Sequence, residues 1–430
     1  MLAAASVGAL VVLVACGPGG RDKGRGQPSA RASAGPSAAA RASSSAAASA
    51  SPSASASASA AAAADPAPSN APVTSFTPFK DVKGCKANSV EVVQYLQRGE
   101  ISIAAKADRI AVTWLMQVGG RRQEQVAFTS YDLTARSPSR PRGIGLSEHA
   151  APRAFAVGGE WTITWFDENG LAYARPKEDP LPAPDVLHLK AVAQGDADKV
   201  ALSHASGDAL IAAAVLASTK GQVALFQFAP ADTSAPAVRA LGVTHKAKSP
   251  DKPAVTSDAN GVTVAWLEPG GRVVGSHFDP AGKERAEPCV VAEASKTPRD
   301  ALNLVATKGG SVALWQEGEE IYARGLDAGG CPRSPRFDVG KGSFLRVEPA
   351  GEGVLAAWVT GDKLVAAKLD AKGAPPASGV EVAVAPGGVK DAPSIAAAGT
   401  RAAFAWSEAM GPTVATRRGM LRTLDLACLP

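Results

Sequence analysis

One pattern recurs along this chain at intervals of about 50 residues, and a repeat of that length narrows the folds open to it more than any other feature. From Pro253 the sequence reads PAVTSDANGVTVAWLEPGGRVVGSHFDPAGK, and from Ala301 ALNLVATKGGSVALWQEGEEIYARGLDAGG. From Phe344 it reads FLRVEPAGEGVLAAWVTGDKLVAAKLDAKG, and from Ala392 APSIAAAGTRAAFAWSEAMGPTVATRRGMLRTLD. Weaker copies start at His149 and Lys199, and the first copy starts at Ile101. Each copy is an apolar run, a Gly-containing turn, and a second run ending near Trp. A tight turn, a third run and a Leu/Phe-Asp ending follow. The anchors are Trp114, Trp165, Val215, Trp266, Trp315, Trp358 and Trp406, spaced 51, 50, 51, 49, 43 and 48 residues apart. A fourth apolar segment closes most units, such as CVVAE at Cys289 and VEVAVA at Val380.

Short strands rich in Val, Ala and Trp, four per period of 40–50 residues, predict an all-β chain built as a β-propeller of seven four-stranded blades. The near-continuous apolar runs suit strands buried on both faces between stacked blades. Tandem sandwich domains are the competing arrangement, but a unit of this size is too small to bury a core alone. The recurring Trp is expected to pack blade against blade rather than to hold a ligand. The last unit has three strands, so its fourth must come from elsewhere. The orphan segment SVEVVQYL (Ser89–Leu96), ahead of the first unit, is the expected donor and would close the ring.

The repeats occupy residues 74–430, and the first 73 residues have a different composition. From Ser29 to Ala64, 31 of 36 residues are Ala or Ser. Alternating Ser, Gly35, Pro36 and Pro52 oppose a helix there, and no apolar periodicity serves a core. Residues 17–73 therefore read as a flexible spacer with a span of roughly 40 Å; a substrate for glycosylation or a cell-wall contact is the alternative. This region also carries five basic and two acidic side chains of a chain whose net charge is +5. The remainder, with 40 basic and 38 acidic residues, makes no case for nucleic acid as a partner.

Leu2–Ala15 is an apolar run too short to span a bilayer as a helix but suited to the core of an export signal. It ends at Leu13-Val14-Ala15-Cys16, which resembles the lipobox of bacterial lipoproteins. The resemblance implies a cleaved signal over residues 1–15 and a lipid-modified Cys16 at the head of a tether over residues 16–73. Acyl chains contributing roughly 0.8 kcal/mol per buried methylene make a lasting membrane anchor when several are present. Gly17 stands where inner-membrane retention signals of that family carry Asp, so the resemblance favours the outer membrane. No basic residue precedes the apolar run, which places the expected start upstream of Met1. With the propeller added, the chain resembles lipid-anchored bacterial propellers in general, and that resemblance carries no functional residues with it.

With Cys16 given to lipid, Cys85, Cys289, Cys331 and Cys428 remain, an even number in an exported chain. Cys428 follows the third strand of the last unit and Cys85 precedes its expected fourth. Among three possible connectivities Cys85–Cys428 is expected, a staple on the ring worth roughly 4–5 kcal/mol in the loop-entropy model. Cys289 and Cys331, both in third-to-fourth strand connections of neighbouring units, form the other pair. No two cysteines stand at C-x-x-C spacing and no histidine lies beside them, so no metal is expected.

His149, His188, His204, His245 and His277 fall at unrelated repeat positions and form no catalytic or metal pattern. No nucleophile elbow or phosphate loop appears, and no cofactor is expected. One constellation stands out: the residue two after the anchor is acidic in four units, Asp167, Glu268, Glu317 and Glu408, with Asp362 nearby in a fifth. All belong to second-to-third strand turns, so several carboxylates stand around one face, available to a cation, a basic peptide or an amine; the competing reading is ordinary turn polarity. The Asp that ends the third strand (Asp132, Asp279, Asp327, Asp370, Asp425) reads as a turn-former. The functional expectation is a tethered, non-enzymatic binding or scaffold module of the cell envelope, partnered with the membrane through its lipid and with an envelope protein or small ligand. A hydrolase or lyase using the rim carboxylates is the alternative, and a subunit of a larger outer-membrane assembly is a third.

Overall fold

A computed structural model describes residues 85–429 apart from 97–98, 118–123, 148–150, 178–185, 190–199, 205–208, 216–220, 231–236, 245–248, 285–286, 377, 386 and 411–416. The expected signal, Cys16 and the spacer lie outside the described residues, as do His149 and His245. The remaining chain forms seven four-stranded antiparallel sheets, the blades of a β-propeller. Blade 1 runs Ser102–Ala105, Arg109–Gln117, Glu124–Asp132 and Arg142–Ser147 in spatial order. Blades 2 to 6 repeat that order, with first strands Arg153–Val157, Val200–His204, Asp251–Asp258, Arg299–Thr307 and Ser343–Ala350.

Blade 7 combines the two ends of the described chain. Ser394–Ala398, Arg401–Ala409 and Arg417–Asp425 supply three strands, and Asn88–Leu96 pairs antiparallel with the third, Asn88 opposite Thr423 and Leu96 opposite Arg417. This is the closure that the orphan segment predicts. Cys85 and Cys428 are disulfide-bonded beside it, Cα atoms 6.1 Å apart and 343 residues apart in sequence. The second bond, Cys289–Cys331, ties the fourth strand of blade 4 to the third-to-fourth strand loop of blade 5.

The anchors sit in second strands and are buried. Trp266 packs with Ile211, Val223 and Leu225 of the preceding blade, and Trp406 with Val380 and Val382 of its predecessor. Two glycines make room for such rings. A Cβ on Gly145 would stand 2.4 Å from the Trp165 ring, and one on Gly340 2.8 Å from Trp358. Where blade 3 carries Val215 instead of Trp, the interface with blade 2 is filled by Tyr173 and Phe228, ring centroids 5.8 Å apart.

The Asp ending the third strand organises a loop that recurs. Asp279 Oδ1 accepts from the N–H groups of Ala281 and Lys283, both at 2.9 Å. Asp327 accepts from Gly329 and Cys331, Asp370 from Lys372 and Ala374, and Asp132 from Thr134 and Arg136. The fourth residue of the loop is left-handed: Gly282, Gly330, Gly373 and, in blade 1, Ala135. The three glycines press on the preceding blade; a Cβ on Gly282 would lie 2.0 Å from the Leu241 carbonyl oxygen. The Asp is thus structural, and the Cys289–Cys331 bond is a covalent version of the same blade-to-blade contact.

Candidate functional site: the central cavity

Antiparallel topology puts the start of every first strand and every second-to-third strand turn on one face of the ring. The sequence-singled carboxylates therefore share a face, but three of the five are engaged by an arginine of their own blade and a fourth by a histidine. Asp167 Oδ2 lies 2.7 Å from His188 Nε2. Glu268, 6% exposed, meets Arg272. Glu317 Oε2 lies 2.9 Å from a buried Arg299 guanidinium. Burial works against its ionisation, but hydrogen bonds from Ser295 and Arg299 hold it below the ordinary carboxylate range. Glu408, 1% exposed, is held by Arg418 and accepts from Trp406 Nε1 at 3.2 Å. Asp362 stays exposed in its turn. Glu268 and Glu408 brace the second strand to the third, Glu317 braces it to the first and Asp167 to the fourth. Glu268 also borders a groove of about 400 Å³ between blades 4 and 5 with Lys252, Lys296 and Asp300.

The larger enclosed space is at the ring axis. A cavity of about 450 Å³ is lined by the first strands of all seven blades. Those strands are the inner edges of their sheets, paired on one side only, so their free edge offers backbone N–H and C=O groups to the cavity. Some of these are taken by side chains of the preceding blade: Ile103 N–H donates to Ser394 Oγ, Ala154 N–H to Ser102 Oγ, and Ala306 N–H to Thr256 Oγ1. These bonds knit the inner ring together.

Strand pairing identifies the equivalent position in each blade, the residue opposite the one before the anchor. It is Ser102, Asn303 and Ser394 in three blades, Val200 and Ala254 in two, and arginine in the others: Arg153 in blade 2 and Arg346 in blade 6. Glu100 precedes the first strand of blade 1, and its carboxylate lies 3.9 Å from the Arg346 guanidinium. Glu348 stands two residues beyond Arg346 on the same strand. Burial, then repulsion from Arg153, lower the Arg346 guanidinium from its ordinary value, and Glu100 only partly offsets them. Glu348 keeps part of its surface toward the cavity, yet protein encloses it and desolvation pushes its carboxyl up to about 8.

The first strands of blades 4, 5 and 6 begin with a register shift at the cavity mouth, and each shift places a non-glycine residue at positive φ: Lys252 (44°), Ala301 (48°) and Phe344 (59°). Such bulges cost of order 1 kcal/mol each and re-aim side chains beside functional openings. Arg153, Arg346, Glu100 and Glu348 escape a reading of the repeat because they are departures from it. The one signal for Arg153, Arg346 and Glu348 is charge within apolar segments such as RAFAV and FLRVEPA, and Glu100 stands just ahead of one.

No protein-family model matches the chain, and no curated protein matches it. Solved structures share the propeller fold. An ulvan lyase described as a new family of polysaccharide lyase is 10% identical over 76% of this chain and 95% of its own, with a TM-score of 0.49. The fucose-specific lectin from Aleuria aurantia is 10% identical over 68% of this chain and 99% of its own, TM-score 0.40. The endosialidase of phage phi92 is 8% identical over 79% and 69%, TM-score 0.46.

Proposed function

We propose that this protein is a non-enzymatic binding or scaffold lipoprotein of the cell envelope, anchored by lipid at Cys16 and receiving its ligand in the central cavity of the propeller. The observation that carries the reading is that cavity: about 450 Å³, walled by seven inner strands, with charged groups contributed by different blades. Its volume is that of a small-molecule site, and a rigid closed ring is pre-organised to hold one. The paired state of Glu268, Glu317 and Glu408 supports binding over rim catalysis. One observation favours a second reading, an envelope hydrolase or lyase: Glu348, with its carboxyl raised to about 8, is suited to hold a proton at neutral pH as a general acid does.

Titrating a panel of neutral and acidic saccharides and peptides against the full chain separates the two. The binding reading expects saturable association without turnover, abolished by Asn303→Trp, which fills the cavity from the inner ring. Recovery of a cleaved ligand, or binding indifferent to Asn303→Trp, overturns it. Palmitate labelling of cells expressing the chain tests the anchor: incorporation is expected, and its persistence in Cys16→Ser would refute lipidation at that residue.

A further inference from the structure

We infer that the central cavity takes a small hydroxylated carboxylate, its carboxyl group bridging the guanidinium groups of Arg153 and Arg346. The inference rests on the cavity being the binding site, as proposed above, and adds the chemical class of the ligand.

The two arginines occupy the same level of the inner ring on blades 2 and 6, with blades 7 and 1 between them. Both line the cavity. Arg153 is exposed to the cavity and Arg346 is half-buried in its wall, and the repulsion between the two like charges is felt at Arg346. Protein provides one partner close by, Glu100 at 3.9 Å, beyond the reach of a hydrogen bond. Arg153 makes no hydrogen bond or ion pair among the described residues, and Arg346 donates to the Leu345 carbonyl oxygen at 3.3 Å. The level therefore carries two cations against one loosely placed anion. Lys252 at the mouth is matched by Asp300. A guanidinium fork presents paired N–H donors with the spacing of a carboxylate, so an entering carboxylate relieves the repulsion and satisfies both forks.

The rest of the wall selects the body of the ligand. Ser102, Asn303 and Ser394 share the level of the arginines, and the free strand edges add backbone donors and acceptors around the ring. Such a lining suits a molecule bearing several hydroxyl groups. The Oγ atoms of Ser102 and Ser394 already accept from Ala154 and Ile103, but their hydroxyl protons remain to donate to a ligand oxygen, a bond an aliphatic or aromatic body could not accept. Glu348, one step deeper, is held protonated at neutral pH and so offers the ligand a donor instead of a repelling charge.

Calorimetric titration of the full chain with D-galacturonate, D-galactose and sulfate tests this, because the two sugars differ at the carboxylate and sulfate has no body. The expected result is a single saturable site for galacturonate, none for galactose, and sulfate at least tenfold weaker than galacturonate. Arg153→Gln and Arg346→Gln should each weaken galacturonate about tenfold or more. Lys308→Gln, on the opposite face and largely exposed, should leave it unchanged. Unliganded Arg346→Gln should melt no lower than the parent, since it removes a repulsion, and this separates lost binding from lost folding. Equal binding of galactose and galacturonate that ignores both arginine substitutions overturns the ligand class and leaves the cavity as a binding site standing. Sulfate binding without galacturonate binding overturns it in favour of an inorganic anion. No response to any of the three at millimolar concentration also overturns it, while Asn303→Trp in the wider panel decides the cavity reading on its own.

Discussion

Arg418, on the last strand of the chain, reaches Glu91 on the first described one, Nη1 to Oε2 at 3.5 Å across a sequence separation of 327. The same guanidinium holds Glu408 from the neighbouring strand. One cation thus serves two buried carboxylates at the seam where the ring closes. Arg418→Met should cost about 3–5 kcal/mol in denaturant unfolding, because it strands Glu408 without its counter-charge. Adding Glu408→Leu should recover part of the loss, since it removes the more deeply buried stranded carboxylate but leaves Glu91 without its cation and Trp406 Nε1 without its acceptor. A double variant no more stable than the single one would assign the loss to packing of the arginine stem.

The two disulfides should differ in worth. Cys85–Cys428 closes a loop of 343 residues and Cys289–Cys331 one of 42. Loop-entropy scaling makes the first more stabilising by about 2 kcal/mol. Calorimetry of Cys85→Ser with Cys428→Ser, against Cys289→Ser with Cys331→Ser, reads that difference. Equal losses would mean that the pairing of Asn88–Leu96 holds the ring closed in the unfolding ensemble without help from the covalent link.

The Asp-centred loop predicts a contrast between two glycines. Gly282→Ala meets the Leu241 carbonyl of the neighbouring blade and a left-handed backbone together, and should destabilise by about 2–4 kcal/mol. Gly351→Ala has the left-handed backbone (φ 61°) but open space around it, and should cost about 1 kcal/mol. Thermal unfolding of the two variants isolates the blade-to-blade contact; similar shifts would remove it as a source of stability.

The contrast between what repeats and what does not explains how much was legible in the residues. Trp266 and Asp279 recur at fixed offsets because every blade meets its neighbour in the same way, so packing writes the same signal in each copy. Cys85 and Cys428 were legible for a related reason, since a ring has one seam and an orphan strand marks it. Arg153 and Arg346 were not, because their equivalents are Ser102, Val200 and Asn303 and a repeat averages them away. The rim carboxylates were visible, but their roles were not. A sequence shows Glu317 and cannot show that Arg299, 18 residues earlier, returns to its side. Pairing across a sheet depends on register, which bulges such as the one between Asp300 and Asn303 shift.

Glu348 gives the cavity a pH dependence whose sign is fixed. Its carboxyl is raised from 4.5 to about 8 in the folded chain. Between those values the folded state keeps a proton that the unfolded state has released. Stability therefore falls as pH rises through that window, by at most about 1.4 kcal/mol per unit, and levels off above pH 8. The other charged groups facing the cavity are Arg153, Arg346, Lys252 and Glu100, so Glu348→Gln is the variant that separates its titration from theirs. Urea unfolding followed from about pH 5 to 9 should show the parent losing stability relative to Glu348→Gln, with the variant the more stable of the two at the alkaline end. Parallel curves would place Glu348 in contact with bulk water. If the parent binds galacturonate, its affinity should also fall as Glu348 ionises, because a second carboxylate then competes for Arg346; in Glu348→Gln that fall should disappear.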